Sequence, residues 1–500
     1  MPLRLLALPL VWLALLSTPS VAQDRSFSVM AFNVENVFDV DDVSLYADFP
    51  VTGNAPDRWT PEQLARKLGA VVEVLRKVNG GKGPDVLVLN ELEVDHTPAS
   101  TISVVDFITR HRGKDFRQLL RGELSEELRG APVEAWLCKA LDDSGLSGYR
   151  LILGDVADPA SESIRNAILT RLPVRSIKQH KLEGARTIIE AALDIDGELV
   201  FVFANHWKSG AGNPTAERVR IGNARVLRAR VDELLGENAE AAIIVAGDLN
   251  SHYDQSTRYP YLTETGIEDI LGSQGDAWKL RAAGGAALYN LWYELPPALR
   301  RSDAFRGDWG TLMHLIISRG LADGRGVDYQ ANSFRTLEIP GLNAYPVTGL
   351  PWDLTRLGPG AGVSDHFPVV ANFRITAAGT NAGTNPLRTP AITGPAAPRW
   401  YSHIDPAQLR SATVIAQLDP KGLAEGMGEL LRVEGKWEGR MRVRIGEVSY
   451  PVWSHDENVM AALKTTPEGD PVRWIAQLGF HKGQVQLVIE SAIWMRQRTK

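Results

Sequence analysis

At 500 residues the chain is longer than one ordinary hydrophobic core, so two or three domains are expected. Its composition, with 44% hydrophobic and 23% charged residues, excludes a disordered or fibrous protein and is typical of a globular one. The formal net charge of −6 gives no indication of nucleic-acid binding, so any such binding requires local basic patches.

The first 22 residues are typical of a secretory signal peptide. Arg4 precedes an apolar stretch over residues 5–16, and Pro19 with small residues up to Ala22 follows. This order predicts a secreted or periplasmic protein that is cleaved after Ala22. An uncleaved membrane anchor is the alternative, but the stretch is short for a span of about 20 residues. No later segment is apolar enough to cross a membrane, so no stable membrane insertion is expected after cleavage.

Residues 23–375 are expected to form one α/β domain, because strand-like apolar runs alternate there with amphipathic helices. Residues 61–78 are predicted to form a helix with Thr60 as its N-cap. Residues 215–235 are predicted to form a second helix, with apolar residues on one face and arginines on the other.

Polar residues stand beside the ends of the predicted strands throughout this domain. Most of them follow a short apolar run, and the last pair precedes one. Strands that each deliver a polar group to one edge of a sheet are suited to build a metal-assisted site for cleaving phosphate esters. In chain order the residues are Asn33, Glu35, Glu91, His206, Lys208, Asp248, Asn250, Asp365 and His366.

The carboxylates and amides suggest metal and water binding. Glu35 and Glu91 are candidate ligands for Mg²⁺, which prefers oxygen, although solvated surface carboxylates are the alternative. Asp248 and Asn250 stand two apart on an extended segment, so both side chains point the same way and can hold a water or a phosphate oxygen. The same two residue types are also common in simple turns.

The histidines suggest phosphate binding and proton transfer. His206 and the candidate substrate-binding residue Lys208 are suited to stabilise anionic phosphate oxygens, although a surface-loop histidine is the alternative. His366 is suited to act as a general base or to donate a hydrogen bond to phosphate, and its neighbour Asp365 can bind metal.

Seven segments occur in a fixed order: FNVENVFD, VLVLNELEVD, RNAILTR, FANHWKSG, VAGDLNSH, GTLMHLIISR and VSDHFPV. Together they resemble the endonuclease/exonuclease/phosphatase superfamily, the DNase I-like fold, over about residues 27–375. The first segment and the HWKS motif resemble its secreted bacterial branch. The resemblance implies a four-layer α/β sandwich, in which two packed mixed sheets are flanked by helices. It also implies hydrolysis of a phosphate ester with Mg²⁺ or Mn²⁺, with Ca²⁺ as an alternative.

The resemblance implies a role for each matching residue. Glu91 would be the main metal ligand, with Glu35 and Asp365 beside the metal. Asn33 would orient water or phosphate. The catalytic residues would be His206 for phosphate and leaving-group stabilisation, Asp248 and Asn250 for the nucleophile, and His366 as phosphate contact or base.

One position departs from the family pattern. The family has an acidic residue where Met313 stands in GTLMHLIIS, and that acid hydrogen-bonds the histidine that matches His366. A thioether carries no charge and is at best a weak acceptor. Three interpretations follow: Asp303 or Asp308 replaces the acid, the protein is a slow enzyme, or it is catalytically silent and only binds its ligand.

Residues 376–399 are rich in small and polar residues and are predicted to form a linker. Residues 400–500 carry several short strand-like runs and one helix, which resembles an OB-fold, a small closed β-barrel. Arg440, Arg442 and Arg444 alternate with apolar residues and form a candidate nucleic-acid-binding face. Four aromatic residues are suited either to stack on bases or to pack the barrel core. They are Trp437, Trp453, Trp474 and Phe480.

Three functional hypotheses follow. The leading one is an exported metal-dependent phosphoesterase that hydrolyses nucleic acid, as an endonuclease or phosphodiesterase. The second gives the enzyme a small phosphate ester or a phospholipid as substrate, as in a phosphatase or phospholipase C, because the net charge is acidic. The third is a weak or inactive enzyme that serves as a binding protein, because Met313 replaces the usual acid.

Overall fold

The computed structural model describes most of the chain between residues 25 and 495. The predicted signal peptide and nearly all of the predicted linker lie outside the described residues. Within the described part of the chain, no helix is long and apolar enough to cross a membrane. The described residues are 25–41, 43, 60–97, 102–156, 162–182, 184–282, 286–305, 307–346, 348–353, 362–375, 387, 404–419, 422–423, 428–481 and 484–495.

The first sheet of the N-terminal domain has seven strands with both parallel and antiparallel neighbours. Its strands are β1 (Arg25–Val37), β2 (Val86–Glu93), β3 (Arg150–Leu153), β4 (Ile164–Thr170), β14 (Val327–Tyr329), β15 (Arg335–Thr336) and β16 (Val369–Ile375). Their spatial order is β14-β16-β1-β2-β4-β3, with β15 paired to β16. β1 therefore lies in the middle of the sheet, which explains why its residues form an almost continuous buried run.

The second sheet also has seven strands, in the spatial order β5-β6-β7-β8-β13-β10-β9. Its strands are β5 (Val174–Leu182), β6 (Ala185–Ile195), β7 (Glu198–His206), β8 (Ala242–Asp248), β9 (Ser273–Gln274), β10 (Leu288–Asn290) and β13 (Met313–Ile317). A separate two-stranded hairpin pairs β11 (Asp303–Phe305) with β12 (Asp308–Gly310). This hairpin directly precedes β13 in the chain.

The helices lie between the strands. The α-helices are α1 (Pro61–Leu75), α2 (Val104–Arg110), α3 (Phe116–Leu119), α4 (Glu126–Arg129), α5 (Val133–Asp143), α6 (Pro214–Glu237), α7 (Gln255–Arg258), α8 (Ala277–Arg281) and α9 (Glu457–Thr465). Short 3₁₀ helices are Asn79–Gly81, Leu291–Glu294, Pro297–Leu299, Arg319–Leu321, Pro406–Gln408, Ala412–Gln417 and Ala492–Met495, and Gly266–Ile270 is a π-helix.

The two long predicted helices are confirmed. Thr60 caps α1 through a reciprocal pair of hydrogen bonds with Gln63, as in a capping box. α1 ends at Leu75, three residues before the predicted end at 78, and Arg76 is its C-cap. The second predicted helix is α6, which Asn213 caps.

Three hydrophobic cores separate four layers. The middle core lies between the sheets and joins residues such as Val88 and Ile189. One outer core packs α1 and α5 on the first sheet, and the other packs α6 on the second sheet. This arrangement confirms the four-layer α/β sandwich that the family resemblance implies.

The C-terminal module is a closed five-stranded barrel, as predicted. Its strands are β18 (Leu430–Gly439), β19 (Arg442–Ile445), β20 (Val448–Trp453), β21 (Pro471–His481) and β22 (Gln484–Val488). Pairing of β18 with β21 closes the ring, and β17 (Arg410–Ser411) pairs with β18 outside it. The one helix predicted for this module is α9, which lies between the third and fourth strands of the barrel. The barrel core is continuous with Trp309, Ala344 and Phe367 of the N-terminal domain.

Candidate active site

Strand register brings the predicted polar residues to one edge of the sandwich. In the first sheet, β1 and β2 are parallel, and Asn33 lies opposite Asn90. In the second sheet, β7 and β8 are parallel, and His206 lies opposite Asp248. Because the carboxyl ends of both parallel pairs lie at the same edge, side chains from the two sheets can meet there.

The backbone at this edge adopts a conformation that most residues avoid. Glu35, Glu91 and Asn250 have φ values of 52°, 67° and 47°, in the left-handed region. Each such residue costs about 1–3 kcal/mol, and such costs concentrate at functional sites. Side chains stabilise the turns: the Glu35 amide donates to Asn33 Oδ1 (2.9 Å) and the Asn250 amide to Asp248 Oδ1 (2.8 Å). These turns therefore fix the directions of the side chains at this edge.

Asn33 joins the two sheets. Its Nδ2 donates to Glu91 Oε1 at 2.9 Å and to Asp248 Oδ2 at 3.0 Å. The Asp248 backbone amide in turn donates to Asn90 Oδ1 at 3.0 Å. Both amide side chains are fully buried, so these contacts fix the two carboxylates relative to each other.

Two imidazoles face the Asp248 carboxylate. His206 Nε2 lies 3.8 Å from Asp248 Oδ2 and 3.7 Å from Glu91 Oε1. His366 Nε2 lies 3.8 Å from the same Asp248 oxygen and 3.6 Å from Asp365 Oδ1. These separations are longer than a hydrogen bond. The Nδ1 atoms of both histidines are buried without a hydrogen-bond partner. We call Asn33, Glu91, His206, Asp248, Asp365 and His366 the sheet-edge cluster.

Burial and neighbouring charges move the pKa values of this cluster in opposite directions. Burial raises the pKa of the Glu91 and Asp248 carboxyls. Burial also lowers the pKa of His206 well below its usual range, so this imidazole is neutral. Burial opposes protonation of His366 as well, but Asp365 and Asp248 outweigh it and raise its pKa to about 9. Divergent pKa values of paired titratable groups are typical of acid–base sites.

The predicted metal ligands lie together on the exposed side of the cluster. The Asp365 amide donates to Glu35 Oε2 at 3.1 Å, and the Asn36 amide donates to Glu91 Oε2 at 3.1 Å. After burial, the charge of Asp365 is the largest cause that raises the pKa of Glu91, so the two carboxylates repel each other. A cation between them would remove that repulsion.

The donor set fits Mg²⁺ or Mn²⁺. Among the described residues, no group of three or more histidine, cysteine, aspartate or glutamate side chains has the arrangement of a complete metal site. Mg²⁺ is usually bound by one or two carboxylates with waters and substrate phosphate. Glu91 and Asp365, with Glu35 nearby, meet that lower requirement.

Sequence reasoning missed three residues at this edge. Asn90 supports Asp248, and an asparagine inside the run VLVLNELE was a visible signal for it. Ser364 Oγ donates to the Asn33 carbonyl at 2.7 Å and accepts from the His366 amide at 3.0 Å. Arg186, near the start of β6, reinforces burial in lowering the pKa of His206 and opposes burial at Glu91. No motif marks Arg186 in the sequence.

Lys208 lies close to the cluster but is exposed. Its charge, with burial and Arg186 before it, contributes to the lowered pKa of His206. The position suits contact with an incoming anion, so its role as a substrate-binding residue stays a prediction.

On the barrel, the three arginines differ in their surroundings. Arg442 donates to the Ser449 side chain and carbonyl, both at 2.8 Å, and Arg444 pairs with Glu438 at 2.5 Å. Arg440 is exposed at the hairpin turn before β19. The nucleic-acid-binding role of this face stays a prediction.

The four barrel aromatics divide into two pairs. Trp437 and Trp474 are buried, with rings in a T-shaped contact 5.5 Å apart, so they pack the core. Trp453 and Phe480 are 45% and 41% exposed and remain available for stacking.

Part of the chain matches the model of a known protein family. Residues 170–374 match the model of the Endonuclease/Exonuclease/phosphatase family, in agreement with the family resemblance of the motifs. Members of this family are generally phosphoric ester hydrolases. No curated protein matches the chain.

Several solved structures are similar to about 70% of this chain. Truncated TDP2 from Caenorhabditis elegans is 17% identical, with a TM-score of 0.37, over 70% of this chain and 97% of that one. A family protein from Leptotrichia buccalis is 12% identical, with a TM-score of 0.40, over 69% and 98% of the two chains. One from Bacteroides vulgatus is also 12% identical, with a TM-score of 0.40, over 70% and 100%.

Proposed function

We propose that this protein is an exported, metal-dependent phosphoesterase that hydrolyses nucleic acid, as an endonuclease or phosphodiesterase. The observation that carries the proposal is the sheet-edge cluster, in which carboxylates, imidazoles and an amide from both sheets meet within hydrogen-bonding or ion-pair distance. The family match over residues 170–374 supports the reaction class. Export rests on the sequence of residues 1–22.

The carboxylates divide into two roles. Glu91 and Asp365, with Glu35 beside them, would hold Mg²⁺ or Mn²⁺, which when bound supplies charge neutralisation at the phosphoryl and leaving oxygens. Asp248 accepts the proton of the attacking water, because burial raises the pKa of its carboxyl and makes it a stronger base than a surface aspartate. Asn250 is fixed beside it, since its Nδ2 donates to the Trp207 carbonyl at 3.1 Å.

The histidines contribute different charges. His206 is neutral at pH 7 and stabilises a phosphate oxygen by a hydrogen bond rather than by charge. His366, whose pKa is raised to about 9, is cationic and stabilises the negative charge that develops on the phosphoryl group. Lys208 and Arg186 add positive charge beside the cluster, which favours an anionic substrate.

The nucleic-acid assignment rests on the barrel. Arg440 is exposed there, and the exposed rings of Trp453 and Phe480 offer flat surfaces for bases. Arginine and aromatic side chains together are the usual means of holding a single strand.

The decisive test is a plasmid assay with the purified mature protein in Mg²⁺ or Mn²⁺. We expect nicking that EDTA abolishes and that Asp248→Ala reduces by about 10²–10⁴-fold, the usual contribution of an acid–base group. Asp232→Ala is the matched control, because Asp232 is 55% exposed on α6 and pairs only with Arg228 among the described residues. It should nick at the wild-type rate.

A substrate panel separates the hypotheses. Turnover of a phosphomonoester or a phospholipid without cleavage of DNA or RNA would replace the nuclease assignment with a phosphatase or phospholipase. Inactivity on every substrate in all three metals, including Ca²⁺, would contradict the proposal and leave a binding protein.

A further inference from the structure

His366 has one ring nitrogen that nothing in the cluster satisfies. Its Nε2 faces Asp248 and Asp365, whereas its Nδ1 is buried without a hydrogen-bond partner. A cationic imidazole carries a proton on both ring nitrogens, and if the second N–H is not held its ring orientation is not fixed. The buried Met313, which lies opposite Asp248 in β13, offers only a thioether at the position where the family has an acid.

Asp303 lies directly across from His366. The two residues form an isolated antiparallel bridge, and the Phe367 amide donates to the Ser302 carbonyl at 2.6 Å. Opposite residues of an antiparallel pair point to the same face, with Cβ atoms about 4.5–5.5 Å apart. Asp303 is 6% exposed, so its carboxylate lies inside the site.

The Asp303 carboxylate is anchored through one oxygen. Oδ1 accepts from Ser302 Oγ and from the Leu312 amide, both at 3.0 Å. Ser302 Oγ also accepts from the Met313 amide at 3.1 Å. Through Ser302, Asp303 of the hairpin is therefore linked to β13, the strand in which Met313 stands in place of the usual acid.

The absence of a side chain at Gly310 leaves room for the second carboxylate oxygen of Asp303, Oδ2. Gly310 pairs with Asp303 across the hairpin, and a Cβ atom there would lie 1.9 Å from Asp303 Oδ2. Any other residue would push the carboxylate away from its position. Asp308, the other acid of the hairpin, is exposed at the far end of β12 from Gly310.

We propose that Asp303 is the positioning residue for His366 and that it supplies, from the hairpin, the carboxylate that Met313 replaces in β13. The assignment rests on the proposed function of the site. The charges agree with the geometry: Asp303 is among the groups that raise the pKa of His366, and His366 is the largest influence that opposes burial in setting the pKa of Asp303.

The test compares Asp303→Asn, Met313→Asp and the double variant in the nuclease assay. Asparagine keeps the Oδ1 acceptor, so the fold is expected to stay intact while the charge is lost. We expect Asp303→Asn to lower kcat by about 10²-fold without changing KM, since loss of an orienting acid in an unrelated enzyme costs about 10⁴-fold. In the Asp303→Asn background, Met313→Asp is expected to raise kcat at least tenfold, because it returns an acid to the strand beside the cluster. In the wild-type background it changes kcat less than threefold.

Gly310→Ala provides a second variant that keeps Asp303. Its methyl group displaces the Oδ2 atom, so kcat is expected to fall in the same direction as for Asp303→Asn. Gly236→Ala is the matched control, because a Cβ there meets nothing within 4 Å and wild-type kcat is expected. An unchanged kcat in Asp303→Asn and Gly310→Ala, or a rise of more than tenfold in Met313→Asp alone, overturns the proposal.

Side-chain ¹⁵N NMR separates this inference from the proposed function. The His366 signals are identified by their loss in His366→Gln. We expect a slowly exchanging proton on Nδ1 in the wild type and its loss in Asp303→Asn, whether or not DNA is cleaved. If the Nδ1 proton of His366 exchanges equally fast in the wild type and in Asp303→Asn, the proposed role of Asp303 is overturned. If the exchange differs but the protein does not cleave DNA, only the nuclease assignment is refuted.

Discussion

Two charged clusters that include residues of the second sheet differ in their hydrogen bonds and in their pKa values. His180, Glu190 and Arg230 form one, which we call the Glu190 cluster. His180 Nε2 lies 2.7 Å from Glu190 Oε2, and Arg230 donates to both Glu190 oxygens at 2.9 Å. Burial raises the pKa of Glu190, but the bonds to His180 and Arg230 outweigh it and lower the pKa to about 2.

The sheet-edge cluster has the opposite character. Burial raises the pKa values of its Glu91 and Asp248 carboxyls, its imidazoles stand 3.6–3.8 Å from carboxylates, and the Nδ1 atoms of both imidazoles lack partners. The Glu190 cluster satisfies itself and joins β6 to α6. The sheet-edge cluster leaves one ring nitrogen of each histidine without a hydrogen-bond partner, and this difference distinguishes a structural charge cluster from a reactive one.

Glu91→Gln tests this distinction most strongly. We expect activity to fall by about 10²–10³-fold, because an electrostatic group of the site is lost. Yet stability at pH 7 should not fall, since a folded-state pKa raised by burial means that the ionised Glu91 opposes folding. Rates in the plasmid assay and urea unfolding measure the two quantities. A large loss of stability would show that the site is structural.

Glu190→Ala should have the reverse effect, with a loss of stability and no change in activity. Removing one partner of a buried pair leaves Arg230 uncompensated and is expected to cost about 3–5 kcal/mol in the free energy of unfolding. The kcat of the folded variant should equal that of the wild type. Glu233→Ala is the control: its carboxylate pairs with the same arginine but is 64% exposed, so a cost of about 0–1 kcal/mol is expected.

Lowering the pH should remove the stabilisation that the Glu190 cluster gives to the folded state. Because the folded-state pKa of about 2 lies below the ordinary 4.5, the stabilisation by Glu190 is complete above pH 4.5 and disappears as pH falls toward 2. Urea unfolding of wild type and Glu190→Gln at several pH values should give a difference that narrows over this window. A constant difference would contradict the assigned ion pair.

The smallest effect is expected on the barrel. Arg440→Ala removes one exposed cation and should weaken DNA binding about two- to fivefold and reduce the salt dependence by about one phosphate contact. Arg442→Ala should weaken DNA binding less, because Arg442 is engaged with Ser449. Fluorescence anisotropy at two salt concentrations measures both.

Much of the fold was predictable because local rules agree with the tertiary structure. The apolar run of β1 and the capping box of α1 are legible in the sequence, and the strand-end residues identify the family. The contact of Asn33 with both Glu91 and Asp248 was not derivable from spacing, because it joins residues of two different sheets.

The rest of the site depends on register, which the sequence does not specify. Asp303 and Asp308 were equivalent candidates in the segment RSDAFRGDWG, and only the hairpin pairing turns one inward and the other outward. Arg186 carries no motif and joins the site only because the start of β6 lies beside the end of β7. The partners of Arg442 follow likewise from the pairing of β19 with β20.

The continuous core shared by the barrel and Phe367 makes the two halves of the chain one cooperative unit. Phe367 directly follows His366, so loosening of the barrel would be transmitted to the imidazole through a single peptide bond. Calorimetry should therefore record one heat-absorption peak rather than two. A chain shortened before the barrel would leave Trp309 and Phe367 facing water and tend to self-associate.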